Sequence, residues 1–159
     1  MRVVHSSVGS ITEKGTQSAP ETLSADELRL CFPGAVEFVG SQNSTLQLPD
    51  VALFGVLHEL AAMWSALCRG VTKPSRTDLY GAYSLSLTRE PSGQVLLTEE
   101  WRGETVSFEA SAFVDSLAAW KASLFASARS RHPSLAENGH FAALESEVSQ
   151  LLRTRLPGA

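Results

Sequence analysis

The residue pair His58 and Glu59 is the first place in this chain where side-chain type and spacing could support chemistry. In the zinc motif His-Glu-x-x-His, two histidines one helical turn apart bind the metal and the glutamate acts as a base. Here Ala62 occupies the position of the second histidine, and no other His or Cys stands at helical spacing. We therefore predict no metal site, and we interpret His58 as a polar residue at the edge of an apolar helix face.

Other catalytic signatures are also missing from the sequence. It contains no Gly-x-Ser-x-Gly motif of hydrolases and neither of the glycine-rich motifs that bind nucleotide phosphates. Cys31 and Cys68 lie among apolar neighbours, outside any Cys-x-x-Cys pair, so we favour buried, reduced thiols over a disulfide or a nucleophile. We predict no catalytic residue and no cofactor.

Charged and aromatic residues concentrate near the tip of one predicted hairpin. The group consists of Tyr83, Glu99, Glu100, Trp101, Arg102 and Glu104. The simpler interpretation is structural, because charges keep hairpin tips soluble and Trp101 could close the core over Gly81. The functional interpretation is a partner-binding surface, because Trp and Tyr beside charged residues are typical of interface anchors. A catalytic pair formed by Glu99 and Glu104 is less favoured, since a hairpin tip seldom encloses two carboxylates.

Alternating apolar residues between positions 80 and 110 predict a three-strand meander. Glu90 to Gly93 supplies the first turn, and Arg102-Gly103 suggests a two-residue second loop. This loop length, together with the matching of apolar positions, sets the predicted register. The predicted cross-strand pairs are Trp101 with Glu104, Glu99 with Val106, Leu97 with Phe108, Val95 with Ala110, Leu87 with Val95, and Leu85 with Leu97.

The remaining periodicity completes an α+β prediction. Three helices, at about 50–69, 111–132 and 134–152, pack mainly on one face of an antiparallel sheet made of the meander and N-terminal strands. Residues 24–32 are ambiguous, because Ser24 and Glu27 form a capping box for a helix while the apolar alternation that follows favours a strand. We favour strands at about 28–32, 36–39 and 45–48.

The organisation predicted from these elements is a loosely structured N-terminal arm, residues 1–27, followed by a single α+β domain, residues 28–159. The arm is rich in small and polar residues and poor in large apolar ones. A chain of 159 residues is long enough to bury a substantial core.

Charge and hydropathy restrict the partners. The formal net charge is −4, and residues 77–110 carry six acidic against two basic side chains, so we expect a partner with a basic surface and no nucleic-acid binding. No apolar run reaches the length of a membrane span, and the N-terminus lacks the apolar stretch of a signal peptide. We predict a cytoplasmic protein without membrane contact.

Residues 45–152 comprise a leucine-rich helix ending at Gly70, the Tyr83 to Ala110 meander, and two amphipathic helices separated by Pro133. This succession of elements resembles small bacterial immunity proteins, which neutralise a cognate toxin. The resemblance is one of size and architecture, without a diagnostic motif. It implies a non-enzymatic inhibitor that blocks a toxin through an acidic surface. The alternative is a small-molecule-binding or hydrolytic enzyme, with its site between the sheet and the helix at 50–69.

Overall fold

The computed structural model describes residues 2–5, 19–41, 44–71, 75–79 and 82–155. Within these residues the strands are β1 (Arg2–His5), β2 (Pro33–Val39), β3 (Thr45–Ala52), β4 (Ser75–Leu79), β5 (Tyr83–Arg89), β6 (Gln94–Glu99) and β7 (Glu104–Glu109). The α-helices are α1 (Ala25–Leu30), α2 (Leu53–Cys68), α3 (Ala110–Arg131) and α4 (Gly139–Leu152), with short 3-10 helices at Pro20–Thr22 and Pro133–Glu137.

The strands form two antiparallel sheets, which confirms the predicted α+β fold class. One sheet has the order β1-β2-β3 and the other β4-β5-β6-β7. We had expected one sheet, but the edge strands β3 and β7 pack against each other instead. At this junction the backbone after β2 approaches β7 so closely that a Cβ on Gly40 would lie 2.6 Å from the Ser107 carbonyl oxygen.

The predicted register of the meander was wrong by two residues in both hairpins. In the structure Glu99 pairs with Glu104, and Leu97 pairs with Val106 on one side and Leu87 on the other. The second loop has four residues, 100–103, instead of two. The last cross-strand pair is Glu99 with Glu104, whereas the prediction had Trp101 with Glu104. Since side chains alternate with a period of two, this shift leaves every residue on its predicted face. The inner face is therefore apolar and buried as expected, at Leu85, Leu87, Val95, Leu97, Val106 and Phe108.

The N-terminal region departs from the prediction in two ways. Residues 25–30 form helix α1 instead of a strand, and Ser24 caps it through the reciprocal hydrogen bonds of a capping box with Glu27. The first 27 residues are not uniformly loose, because β1 pairs with β2 and Leu23 is fully buried. Residues 6–18 of the predicted arm lie outside the described part of the chain.

Helix α2 lies at the centre of the fold and begins at Leu53, later than predicted, because β3 continues to Ala52. It contacts both sheets and the other three helices. Phe54 on α2 packs edge-on against Phe125 of α3 and Phe141 of α4, with ring centroids 4.8 and 5.7 Å apart. The aromatic residues of these helices thus pack in the core, at Trp64, Phe113, Trp120, Phe125 and Phe141. Cys31 and Cys68 are buried, as expected, and the two thiols do not form a disulfide.

Candidate functional site: the Trp101 loop

The six predicted partner-binding residues are grouped at one end of the second sheet. Glu99 ends β6, Glu104 begins β7, and Tyr83 begins the neighbouring strand β5. Residues 100–103, which we call the Trp101 loop, connect β6 to β7. Gly103 adopts a positive φ of 68°, as the sequence predicted for a glycine that closes a tight turn.

A buried carboxylate holds the Trp101 loop in place. Glu99 Oε2 accepts hydrogen bonds from the backbone N–H of Arg102 at 2.9 Å and from its side-chain Nε at 3.1 Å. Glu99 Oε1 accepts from the backbone N–H groups of Trp101 and Ser84, both at 3.3 Å. One side chain thus satisfies two backbone donors of its own loop and one of the adjacent strand, which explains a four-residue loop without the usual two-residue turn.

Four N–H donors around the Glu99 carboxylate favour its ionised form despite its complete burial. Burial alone would raise the pKa of Glu99, but the hydrogen bonds from Arg102, Ser84 and Trp101 outweigh it and lower the pKa below its ordinary value. In all four hydrogen bonds an N–H group donates to a Glu99 oxygen, and a proton on the carboxyl group would compete with these donors. Glu99 therefore has a structural role in the fold.

Arg102 connects the Trp101 loop to the other sheet. Its Nη2 donates a hydrogen bond to the Gln47 carbonyl oxygen of β3 at 2.8 Å and lies 3.4 Å from a Glu104 carboxylate oxygen. The same guanidinium lies 5.7 Å from the centroid of the Tyr83 ring, within the range of a cation–π contact. These contacts fix the loop from both sides of the sheet junction.

Trp101 is the exposed aromatic residue of this surface. Its relative exposure is 59%, whereas Trp64 and Trp120 are 2% and 3% exposed. The interpretation in which Trp101 covers Gly81 involves a residue outside the described part of the chain. The Trp101 side chain contributes little to the free energy of folding, because most of its apolar surface remains in water.

The six predicted partner-binding residues lie together, and all of them except Glu99 are at least partly exposed. Trp101, Arg102 and Glu104 are accessible to a partner, and Glu100 and Tyr83 are partly so. Glu99 is fully buried, so it positions the others and does not itself offer a contact. The sequence did not reveal this division of roles, because strand alternation gives the face of a residue but not what covers it.

A paired-carboxylate chemistry at Glu99 and Glu104 has little support from this geometry. The two residues stand opposite each other, but both Glu99 oxygens are occupied by N–H donors, and Arg102 lies against both carboxylates. A general acid needs a raised pKa, and the pKa of Glu99 is lowered.

A second group of ionisable residues, which sequence reasoning missed, surrounds His58. The His58 cluster, as we call it, consists of Arg29, His58, Glu59 and Glu147. His58 Nε2 lies 3.0 Å from Glu147 Oε1 and 3.4 Å from Arg29 Nη2, and Nδ1 lies 3.6 Å from Glu59 Oε1. On its other side Glu59 accepts a hydrogen bond from the Thr77 hydroxyl of β4 at 2.9 Å.

The ionisable groups of the His58 cluster change one another's pKa values. The Glu59 carboxylate raises the pKa of His58 above its ordinary value, burial opposes the rise, and Glu147 adds to it. Interaction with His58 in turn lowers the pKa of both Glu59 and Glu147. Among the described residues no three His, Cys, Asp or Glu side chains are arranged to hold a metal ion.

Comparison with known proteins assigns no family. No protein-family model matches the chain, and neither a curated protein nor a solved structure shows significant similarity to it. None of the described helices combines the length and apolar character needed to cross a membrane.

Proposed function

We propose that this chain is a non-enzymatic binding protein of the immunity or antitoxin type, which blocks a basic surface of a cognate toxin with its Trp101 loop. The observation that carries the proposal is the 59% exposure of Trp101 on a loop held by the buried carboxylate of Glu99. Tryptophan is one of the residue types enriched among the few side chains that dominate binding energy in protein interfaces.

The hydrogen bonds of the loop favour binding because they are formed before any partner arrives. Association costs free energy for ordering side chains and loops, and a loop already held by Glu99 and Arg102 avoids part of that cost. Trp101 can then be buried against a partner with little rearrangement of the backbone.

The charges of the loop favour a cationic partner. Glu99, Glu100 and Glu104 against Arg102 leave two net negative charges around Trp101, in a chain whose formal net charge is −4. Such a surface would accelerate encounter with a basic cleft, while Trp101 would provide the desolvated contact that slows dissociation. The resemblance to bacterial immunity proteins supports the same type of partner and a cytoplasmic location.

The direct test is protection against a toxin encoded next to this chain. The neighbouring gene product is expressed in a bacterial host with and without the chain, and we expect growth only with it. Trp101→Ala and Glu100→Lys should weaken protection. Leu30→Ala, at another exposed apolar residue, and Asp115→Lys, at an exposed carboxylate of α3, are the matched controls and should protect fully.

Binding measured with the purified toxin separates anchor from charge. Trp101→Ala should mainly speed dissociation, by about 30-fold if it contributes about 2 kcal/mol, whereas Glu100→Lys should slow association and reduce its salt dependence. Circular dichroism verifies that each variant is folded. Folded double variants that bind as tightly as the parent would exclude the Trp101 loop as the interface. Tight binding without protection would show a binding protein that is not an inhibitor.

A further inference from the structure

The His58 cluster joins three helices that are distant in sequence. Arg29 belongs to α1, His58 and Glu59 to α2, and Glu147 to α4. The His58 side chain is only 12% exposed, while Glu147 is 49% exposed. The cluster therefore lies at the boundary between the core and solvent, where α1 and α4 both meet α2.

The hydrogen-bonding capacity of imidazole decides how well this cluster is satisfied. A neutral ring has one N–H donor and one bare nitrogen, so it can donate to Glu147 or to Glu59 but not to both. The protonated ring has two N–H donors, so Nε2 can donate to Glu147 at 3.0 Å while Nδ1 faces Glu59 at 3.6 Å, an ion-pair distance that is too long for a hydrogen bond. In the neutral ring one nitrogen lone pair faces a carboxylate, whereas the protonated ring has an N–H group at both nitrogens.

The charge balance points the same way. With neutral His58, the cluster carries one positive charge, from Arg29, and two negative charges, from Glu59 and Glu147. Protonation of His58 brings the sum to zero. Arg29, whose Nη2 lies 3.4 Å from His58 Nε2, opposes this protonation as a like charge, but the two carboxylates outweigh it. Asp26 lies 3.9 Å from Arg29 but is 91% exposed, so water screens its contribution. Thr77, which faces the cluster from β4, is uncharged and hydrogen-bonds to Glu59 alone among these residues.

We infer that the His58 cluster is a pH-operated latch, which holds α4 against α2 when His58 is protonated and loosens α4 when His58 is neutral. No residue of the His58 cluster belongs to the Trp101 loop, so the latch does not depend on the function proposed for that loop.

The direction of the pH dependence follows from the protonation states. Because the folded-state pKa of His58 is raised, its stabilising contribution is complete below the unfolded pKa of about 6.5 and is lost as the pH rises through the folded pKa. The pKa of Glu59 and that of Glu147 are lowered, so both stay ionised well below that range. The latch is therefore closed in mildly acidic solution and opens toward alkaline pH.

Hydrogen exchange of the full chain at pH 5.5 and pH 8.5 tests the latch. After correction for intrinsic exchange rates, amides of α4 should open about three- to tenfold more often at pH 8.5, while those of β6 and β7 should not change. This range reflects a charge-assisted bond discounted for partial exposure. His58→Gln should remove the pH dependence. His140→Gln, at an exposed histidine of α4, is the control and should retain it.

Two results would overturn the inference. The first is equal opening of α4 at both pH values in the parent, and the second is an unchanged pH dependence in His58→Gln. If His58→Gln does not fold, Glu147→Gln replaces it, because the Glu147 side chain is 49% exposed and its replacement perturbs the core less than replacement of His58, which is 12% exposed. Glu147→Gln must then reduce the pH dependence, and failure to do so equally refutes the latch.

Discussion

Glu99→Gln should destabilise the protein more than any other conservative change at the Trp101 loop. The carboxylate accepts two hydrogen bonds on each oxygen, whereas glutamine has one acceptor oxygen and one NH2 donor. The amide oxygen should take the Oε2 position, where the two shorter bonds from Arg102 are made. The NH2 group would then face the backbone N–H groups of Ser84 and Trp101.

The magnitude follows from those two lost bonds. Each hydrogen bond to a buried acceptor contributes about 1 kcal/mol net to stability. The backbone N–H groups of Ser84 and Trp101 would also remain without an acceptor, so we expect a loss of about 2 to 3 kcal/mol in the free energy of unfolding. The loss of charge beside Arg102 adds little, because Arg102 is 39% exposed and keeps its contacts with Gln47 and Glu104.

Urea unfolding followed by circular dichroism at pH 7 measures this loss. Glu104→Gln is the matched control, since Glu104 stands opposite Glu99 but its side chain is 43% exposed, and it should cost less than about 0.5 kcal/mol. If Glu99→Gln unfolds within about 0.5 kcal/mol of the parent, the carboxylate does not hold the loop and the reasoning fails.

The pH dependence gives an independent check. The folded-state pKa of Glu99 is lowered, so its contribution is present above the unfolded pKa of about 4.3 and is lost as the pH falls through the folded value. The difference between parent and Glu99→Gln should therefore be full at pH 6 to 7 and shrink in more acidic solution. A difference that is constant down to the acid-unfolding range would contradict ionisation of Glu99 in the fold.

Two further substitutions test the packing that positions the loop. Leu97→Ala should cost about 2 to 5 kcal/mol in urea unfolding, because Leu97 is fully buried between Leu87 and Val106. A cost below about 0.5 kcal/mol would contradict the burial of Leu97 on the inner face of the sheet. Gly40→Ala should cost about 1 to 3 kcal/mol, since its Cβ would lie 2.6 Å from the Ser107 carbonyl oxygen, whereas Gly139→Ala meets no atom within 4 Å and should not destabilise. Equal stability of these two glycine variants would show that the sheets do not meet closely at Gly40.

The faces of the sheet and of the helices could be predicted from the sequence. Alternation between positions 80 and 110 placed Val106 and Phe108 on the buried face, and helical periodicity located the three long helices to within a few residues. These predictions survive errors in detail because burial depends on local periodicity. The capping box at Ser24 was also visible in the sequence, yet apolar alternation led to the wrong choice of a strand for residues 28–32.

The candidate site could be predicted as a group of residues but not as a set of roles. Its members lie close together in sequence and share one hairpin, so their proximity followed from the turn. The burial of Glu99 and the exposure of Trp101 did not, because they depend on a loop conformation that Glu99 creates through its own hydrogen bonds and on the arrival of β3 beside Arg102.

The sequence by itself determined the periodic elements, the buried faces and the absence of the familiar catalytic motifs, because these depend on residues a few positions apart. Only the tertiary structure decided that the strands divide into two sheets and that Arg29, His58 and Glu147 meet. The physical reason is that such contacts join residues up to 118 positions apart, as between Arg29 and Glu147. Local propensity carries no information about them, and they are set by how the helices pack around the central helix α2.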